Sequence, residues 1–141
     1  MQAVMSPEDM MAFLETVFPQ VRGEFLVEEM DGVNTVVRLL VGEKHLRPGG
    51  TISGPSMFGL ADVTAYVATM ARIGKEPLTV TTNCSLDFMR KPVSGKDLLA
   101  KARLLKLGRS LSVTDILIYS EGMAEPVARA NMTYAIPPKR G

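Results

Sequence analysis

Between Arg47 and Arg72 a single charged side chain, Asp62, interrupts an otherwise uncharged stretch, within Leu60-Ala61-Asp62-Val63. From position 56 to 72 the pattern is helical, with Ala61, Ala65, Ala68 and Ala71 set among Met57, Phe58, Leu60, Val63, Tyr66, Val67 and Met70. A helix that is apolar nearly all round must be buried on most faces. It is too short for a bilayer, and Gly49, Gly50, Gly54, Pro55 and Asp62 argue against insertion. The rest of the chain must therefore wrap it, which at 141 residues predicts one domain over positions 1–141.

The flanking sequence supplies the wrapping. Ser6-Pro7-Glu8-Asp9 reads as a helix start, with Ser6 as N-cap and two acids at the positive end of the dipole. A short N-terminal helix follows to about Phe18, with Met10, Phe13, Leu14 and Val17 on its apolar face. Positions 23 to 41 read as two antiparallel strands around an Asp31-Gly32 turn, and positions 43 to 55 as a long loop. Extended runs at 78–88, 97–107, 111–119 and 123–136 predict four more strands as an antiparallel meander curling around the central helix, an α+β architecture.

Composition narrows the partners. Sixteen basic and fifteen acidic residues give a net charge of +1, so no global field favours nucleic acid or an anionic membrane. The lone cysteine, Cys84, cannot build a disulfide framework or a thiolate metal cage, which suits a cytoplasmic protein. The N-terminus lacks a basic region ahead of an apolar core and does not read as a signal peptide. No cluster has metal-ligand spacing and no dinucleotide fingerprint is present, so neither a metal nor a cofactor is expected.

Asp62 has Phe58, Gly59, Ala65 and Tyr66 as helical neighbours and no basic partner among them. A carboxylate so placed needs a compensating use, a water-filled cleft, or bonds to distant backbone amides or a second subunit. Upstream, the loop containing Gly49, Gly50 and Gly54 leads into the helix with Pro55 at its first position. Either these residues merely turn the chain, or the Gly54 amide at the positive helix end serves as an oxyanion hole. Eight residues at about 1.5 Å rise separate Gly54 from Asp62 by roughly 12 Å, too far to act on one carbonyl. If both act, a second helix must run antiparallel in a two-fold dimer, giving two equivalent sites.

The residues Gly-Thr-Ile-Ser-Gly-Pro-Ser-Met-Phe-Gly-Leu-Ala-Asp, positions 50 to 62, resemble the loop and helix start of hotdog-fold thioesterases of the phenylacetate-pathway PaaI-like group. The likeness extends through positions 86–92, with Arg90 and Lys91 before Pro92, through positions 107–110, and through positions 128–134. It implies a hotdog fold, in which a curved antiparallel sheet wraps a long central helix. It further implies hydrolysis of an acyl- or aryl-coenzyme A thioester, with Asp62 activating water or attacking the carbonyl and Gly54 polarising the carbonyl oxygen. Arg90, Lys91, Arg109 and Ser110 would lie near pantetheine and nucleotide, with coenzyme A present only as part of the substrate. Ser53 and Pro55 stand where the family has His and Gly, and Arg47 where Asn is common, so these three line the expected substrate site; Tyr66, one turn beyond Asp62, joins them. A homodimer, and a dimer of such dimers, is the expected assembly.

Two other readings follow from the same residues. Hotdog dehydratases resemble one another in pairing a histidine with a carboxylate, but His45 lies in the long loop, where a solvated or hydrogen-bonded role is expected. A non-catalytic acyl-coenzyme A binding module would use the same groove with Asp62 structural. Cys84 alternates with Val80, Thr82, Leu86 and Phe88 and reads as a small core residue, while Asn83 on the opposite face would meet substrate or the dimer seam.

Overall fold

The computed structural model describes residues 2–138. Helix α1 (Pro7–Val17) begins as expected, with the Asp9 amide donating to Ser6 Oγ at 3.1 Å. Strands β1 (Phe25–Met30) and β2 (Asn34–Leu39) form an antiparallel hairpin. Its turn is held by Asp31 Oδ1, which accepts from the Val33 and Asn34 amides at 2.8 and 2.6 Å, and Gly32 supplies a φ of +96°. A short 3-10 turn (Glu43–His45) precedes helix α2 (Gly54–Ile73). Strands β3 (Val80–Phe88), β4 (Leu98–Leu107), β5 (Leu111–Ser120) and β6 (Ala128–Ala135) complete one six-stranded sheet in the order β1-β2-β4-β5-β6-β3.

This order corrects the expected meander: β3 does not pair with β4 but crosses to the far edge and pairs with β6. The connection at positions 89–97 is too long for a tight hairpin, and the Met89 and Arg90 amides anchor its start to Val127 O at 2.8 and 3.2 Å. It then passes the loop before α2, where Ser94 Oγ donates to Gly50 O at 3.3 Å.

α2 is buried along its length, as its composition requires, with Leu60, Ala61, Ala65, Met70 and Ala71 fully enclosed. Its alanines let the sheet approach closely, and Val37, Leu39, Leu98, Ile116, Ile118 and Met132 close over it from the strands. The buried Thr64 and Thr69 hydroxyls donate to Leu60 O and Ala65 O, so they leave no unpaired donor in the core.

Arg38 ties one end of the sheet together. It donates to Glu28 on β1, Asp97 before β4 and Glu121 after β5 at 2.6, 3.1 and 2.7 Å. The hydrogen bond it donates to Glu28 leads the effects that raise its pKa above the ordinary arginine value. Arg38→Ala leaves three carboxylates facing one another around a largely buried position. The expected loss is about 1–3 kcal/mol by urea titration at neutral pH, discounted for partial exposure. An unchanged midpoint at neutral pH would remove this hub from the account.

Candidate active site

α2 starts two residues earlier than its apolar pattern indicates. Ser53 is the N-cap, its Oγ accepting from the Ser56 amide at 3.2 Å, and Gly54 rather than Pro55 takes the first helical position. A proline has no amide to offer, so its placement second leaves the Gly54 N–H facing out of the helix end. That N–H meets no acceptor among the described residues. The approach to β3 is also close here: a Cβ at Gly54 would lie 3.2 Å from Cζ of the exposed Phe88 ring at the end of β3.

Two turns further along, Asp62 is half-buried and faces the other end of β3. Its Oδ1 accepts from Thr81 Oγ1 and Tyr134 OH, both at 2.6 Å, and Tyr134 OH also reaches Asp62 O at 2.9 Å. Oδ2 accepts no hydrogen bond among the described residues and is not sealed from solvent. One oxygen thus fixes the carboxylate while the other stays open to water or substrate. Burial first, and then the Asp62 charge, push the Tyr134 phenol well above the ordinary tyrosine range, so it remains a donor.

Thr81 and Tyr134 are absent from the sequence-derived site. A bulge between Thr81 and Asn83 reverses the alternation of β3, so Thr81, not Thr82, faces α2. Tyr134 shares the inner face of β6 with buried Ala130 and Met132, and a buried tyrosine hydroxyl needs a partner. That signal was present in the alternation, but its partner lies 72 residues away. Tyr134→Phe is expected to lower kcat about tenfold or more with little change in KM, the scale of a lost hydrogen bond to a charged group. An unchanged kcat would mean that Thr81 alone orients Asp62.

The remaining candidates separate into groups. Tyr66 is enclosed by Phe13, Phe18 and Tyr134, with ring centroids 6.2, 5.3 and 6.0 Å away. It supports Tyr134, and burial pushes its hydroxyl up to about 12. Arg90 and Lys91 follow Phe88 at the Gly54 end, whereas Arg109 and Ser110 sit in the β4–β5 turn at the Asp62 end of the sheet, with β6 between them and Val80. All four are exposed; Arg90 folds back onto Pro126 O at 2.6 Å and Glu125 at 2.9 Å. Arg47 is exposed at the tip of the loop, where its amide donates to Thr51 O at 2.8 Å.

Cys84 corrects the expectation of a core residue: it is exposed, because β3 is the sheet edge and no other described segment covers it. Asn83 does face away from the helix side, opposite Thr133. Of the two roles expected for His45 the hydrogen-bonded one holds: it is buried, and its ring nitrogens are taken by Glu24 and the Gly42 amide, both at 2.8 Å. It is therefore not free to form a proton-shuttling pair with Asp62.

A six-stranded antiparallel sheet closed around one long helix, with a lone carboxylate and a free helix-start amide along one edge, defines a hotdog enzyme fold. The family model described as thioesterase superfamily matches residues 49–127, and the chain belongs to that family. A crystal structure from Silicibacter sp. TM1040, provisionally named a thioesterase, is 59% identical with a TM-score of 0.92, covering 98% of this chain and 96% of its own. A mutant of the phenylacetic acid degradation protein PaaI from Thermus thermophilus is 25% identical with a TM-score of 0.73, covering 84% and 99%. A Streptococcus mutans UA159 protein bound to acetyl-CoA shares the fold at 22% identity and a TM-score of 0.73, covering 86% and 94%. No curated protein matches the chain. The chain is accordingly a hotdog-fold thioester hydrolase by family and fold. No helix among the described residues is long and apolar enough to cross a membrane.

Proposed function

We propose that this protein hydrolyses acyl- or aryl-coenzyme A thioesters at a site shared between two copies of the chain, with Asp62 from one and the Gly54 amide from the other. The observation that carries the proposal is the arrangement along β3. This edge strand has no partner on its outer flank among the described residues, and Gly54 abuts it at Phe88 while Asp62 bonds to it at Thr81.

Pairing β3 with its own two-fold copy joins the two ends. Directly opposed residues in an antiparallel pair point to the same face, so Cys84 and Leu86, both on the helix side, should face each other's copies. The axis then falls at Ser85. Asn83 opposes Asp87 outside, and the bulge lets Thr81 meet Phe88. Each Asp62 is thereby set against the other copy's Gly54, with Arg90 and Lys91 from one chain near Arg109 and Ser110 from the other. These four are suited to the phosphates and pantetheine of coenzyme A, and Arg47 to the mouth of the same cleft.

In this reading Asp62 Oδ2 takes a proton from water, the resulting hydroxide attacks the carbonyl carbon, and the Gly54 N–H meets the oxygen that gains charge. Collapse breaks the C–S bond and the proton from Asp62 leaves with the thiol. Direct attack by Oδ2 through a mixed anhydride would use the same groups. Coenzyme A enters only as part of the substrate, and neither a metal nor a further cofactor is required.

We further propose that dimers pair through the outer face of the sheet. A groove of about 780 Å³ there is lined by Lys101, Arg103 and Arg129 alternating with Glu29, Asp87 and Asp115, a pattern that can complement its own copy. The unpaired Cys84 supports a cytoplasmic setting.

Free-thiol release from aryl, short, medium and dicarboxylic coenzyme A esters tests the proposal. Turnover on at least one class is expected. Binding of the esters without release from any of them would replace hydrolysis by an acyl-coenzyme A binding role.

A further inference from the structure

We infer that His45 is a positioning residue for the hydrolytic site, holding the first turn of α2, and with it the Gly54 amide, to the start of β1 through Glu24. The inference rests on the proposed role of Gly54 as carbonyl-oxygen donor.

The Gly42 amide donates to His45 Nδ1 at 2.8 Å, which makes Nδ1 the acceptor and leaves the proton on Nε2. Nε2 then donates to Glu24 Oε1 at 2.8 Å. Glu24 is itself pinned by Lys44 at 3.0 Å, and its backbone carbonyl accepts from the Leu40 amide at 2.8 Å, so it is fixed to the β1–β2 hairpin. Burial opposes its charge, but hydrogen bonds from His45 and Lys44 outweigh burial and Glu24 titrates below its ordinary value. The imidazole is thus locked from both sides in an interior position.

The backbone of the same residue holds the helix start. His45 O accepts from the Ser53 amide at 2.8 Å and from Ser56 Oγ at 3.4 Å. Ser53 and Ser56 also bond each other, hydroxyl to hydroxyl at 2.9 Å. Gly54 lies between these two anchored residues. The loop from position 46 to 52 closes on itself through the Leu46–Ile52 bridge, so His45 and Ser53 are neighbours in space. A donor must meet the developing oxyanion within a few tenths of an ångström to be effective. A residue that fixes the helix start in this way acts on kcat through Gly54 without touching substrate.

Two variants and two readouts test this. His45→Phe fills the cavity but makes neither ring bond, and His45→Gln keeps a side-chain N–H in reach of Glu24. Steady-state kinetics are measured on the best thioester, and amide hydrogen exchange is followed for the first turn of α2 relative to the sheet. His45→Phe should lower kcat about tenfold or more, leave KM within about twofold, and speed first-turn exchange by about tenfold without matching acceleration in β4 and β5. His45→Gln should recover to within about threefold of the native values. Unchanged kcat and exchange in His45→Phe would overturn the inference, as would a uniform rise in exchange across the sheet, which marks general destabilisation. If the native protein hydrolyses no thioester, the functional proposal fails separately and first-turn exchange alone decides whether His45 holds this turn.

Discussion

Replacing Asp62 with asparagine is expected to lower kcat/KM on the best thioester by about a hundredfold or more while leaving ester affinity within a few fold. Asparagine has nearly the same volume, and its carbonyl oxygen can still accept from Thr81 Oγ1 and Tyr134 OH, the two partners that fix Asp62 Oδ1. What it lacks is the open Oδ2, the one atom able to take a proton from water or to attack carbon. The variant therefore removes chemistry with little change in shape. Thiol release by stopped assay, with affinity from competition by coenzyme A, separates the two effects. Native turnover in Asp62→Asn would reduce the carboxylate to a structural anchor for β3 and β6.

The second large effect is expected at a residue that touches neither reacting group. Ser85 is exposed on the outer side of the edge strand, so Ser85→Arg should not disturb the fold of one chain. With a two-fold axis at this position, the substitution sets two guanidinium groups directly opposite each other, an arrangement that destabilises strand pairing. Sedimentation at micromolar concentration should show monomer where the native chain is dimeric or larger. Specific activity should fall about a hundredfold and recover as protein concentration rises. Far-UV circular dichroism should stay the same. A fully active monomer would show that the site is complete within one chain.

Much of this arrangement could be read from residues alone, for reasons local to the chain. Ser6 before Pro7 marked the start of α1, and the alanine-rich, charge-free run around Asp62 required a wrapped central helix. If Gly54 and Asp62 both act, their separation along that helix calls for two copies, which is the arrangement proposed above. What escaped was non-local. Nothing near β3 announces that it crosses the sheet to pair with β6, and a single bulge was enough to exchange Thr81 for Thr82 on the helix side. Cys84 was misplaced for the same reason, since alternation identifies a face but not an edge. Ser53, read as a substrate contact, is occupied as the cap of α2. His45 looked like an ordinary loop residue because Glu24, its partner, is 21 positions away.

A mixing experiment tests the shared site most directly. Gly54→Pro deletes the amide donor at a first helical position where the backbone accepts proline, with the exposed Phe88 ring, 3.2 Å from the added Cβ, giving way by a few tenths of an ångström, and Asp62→Asn deletes the base, so each variant alone should be inactive. Unfolded and refolded together, they should form mixed dimers in which one of the two sites has both groups intact. Random pairing then returns about a quarter of native activity. Recovery at that level would establish that Gly54 of one chain serves Asp62 of the other. Mixtures no more active than the separate variants would contradict the account and return both groups to a single chain.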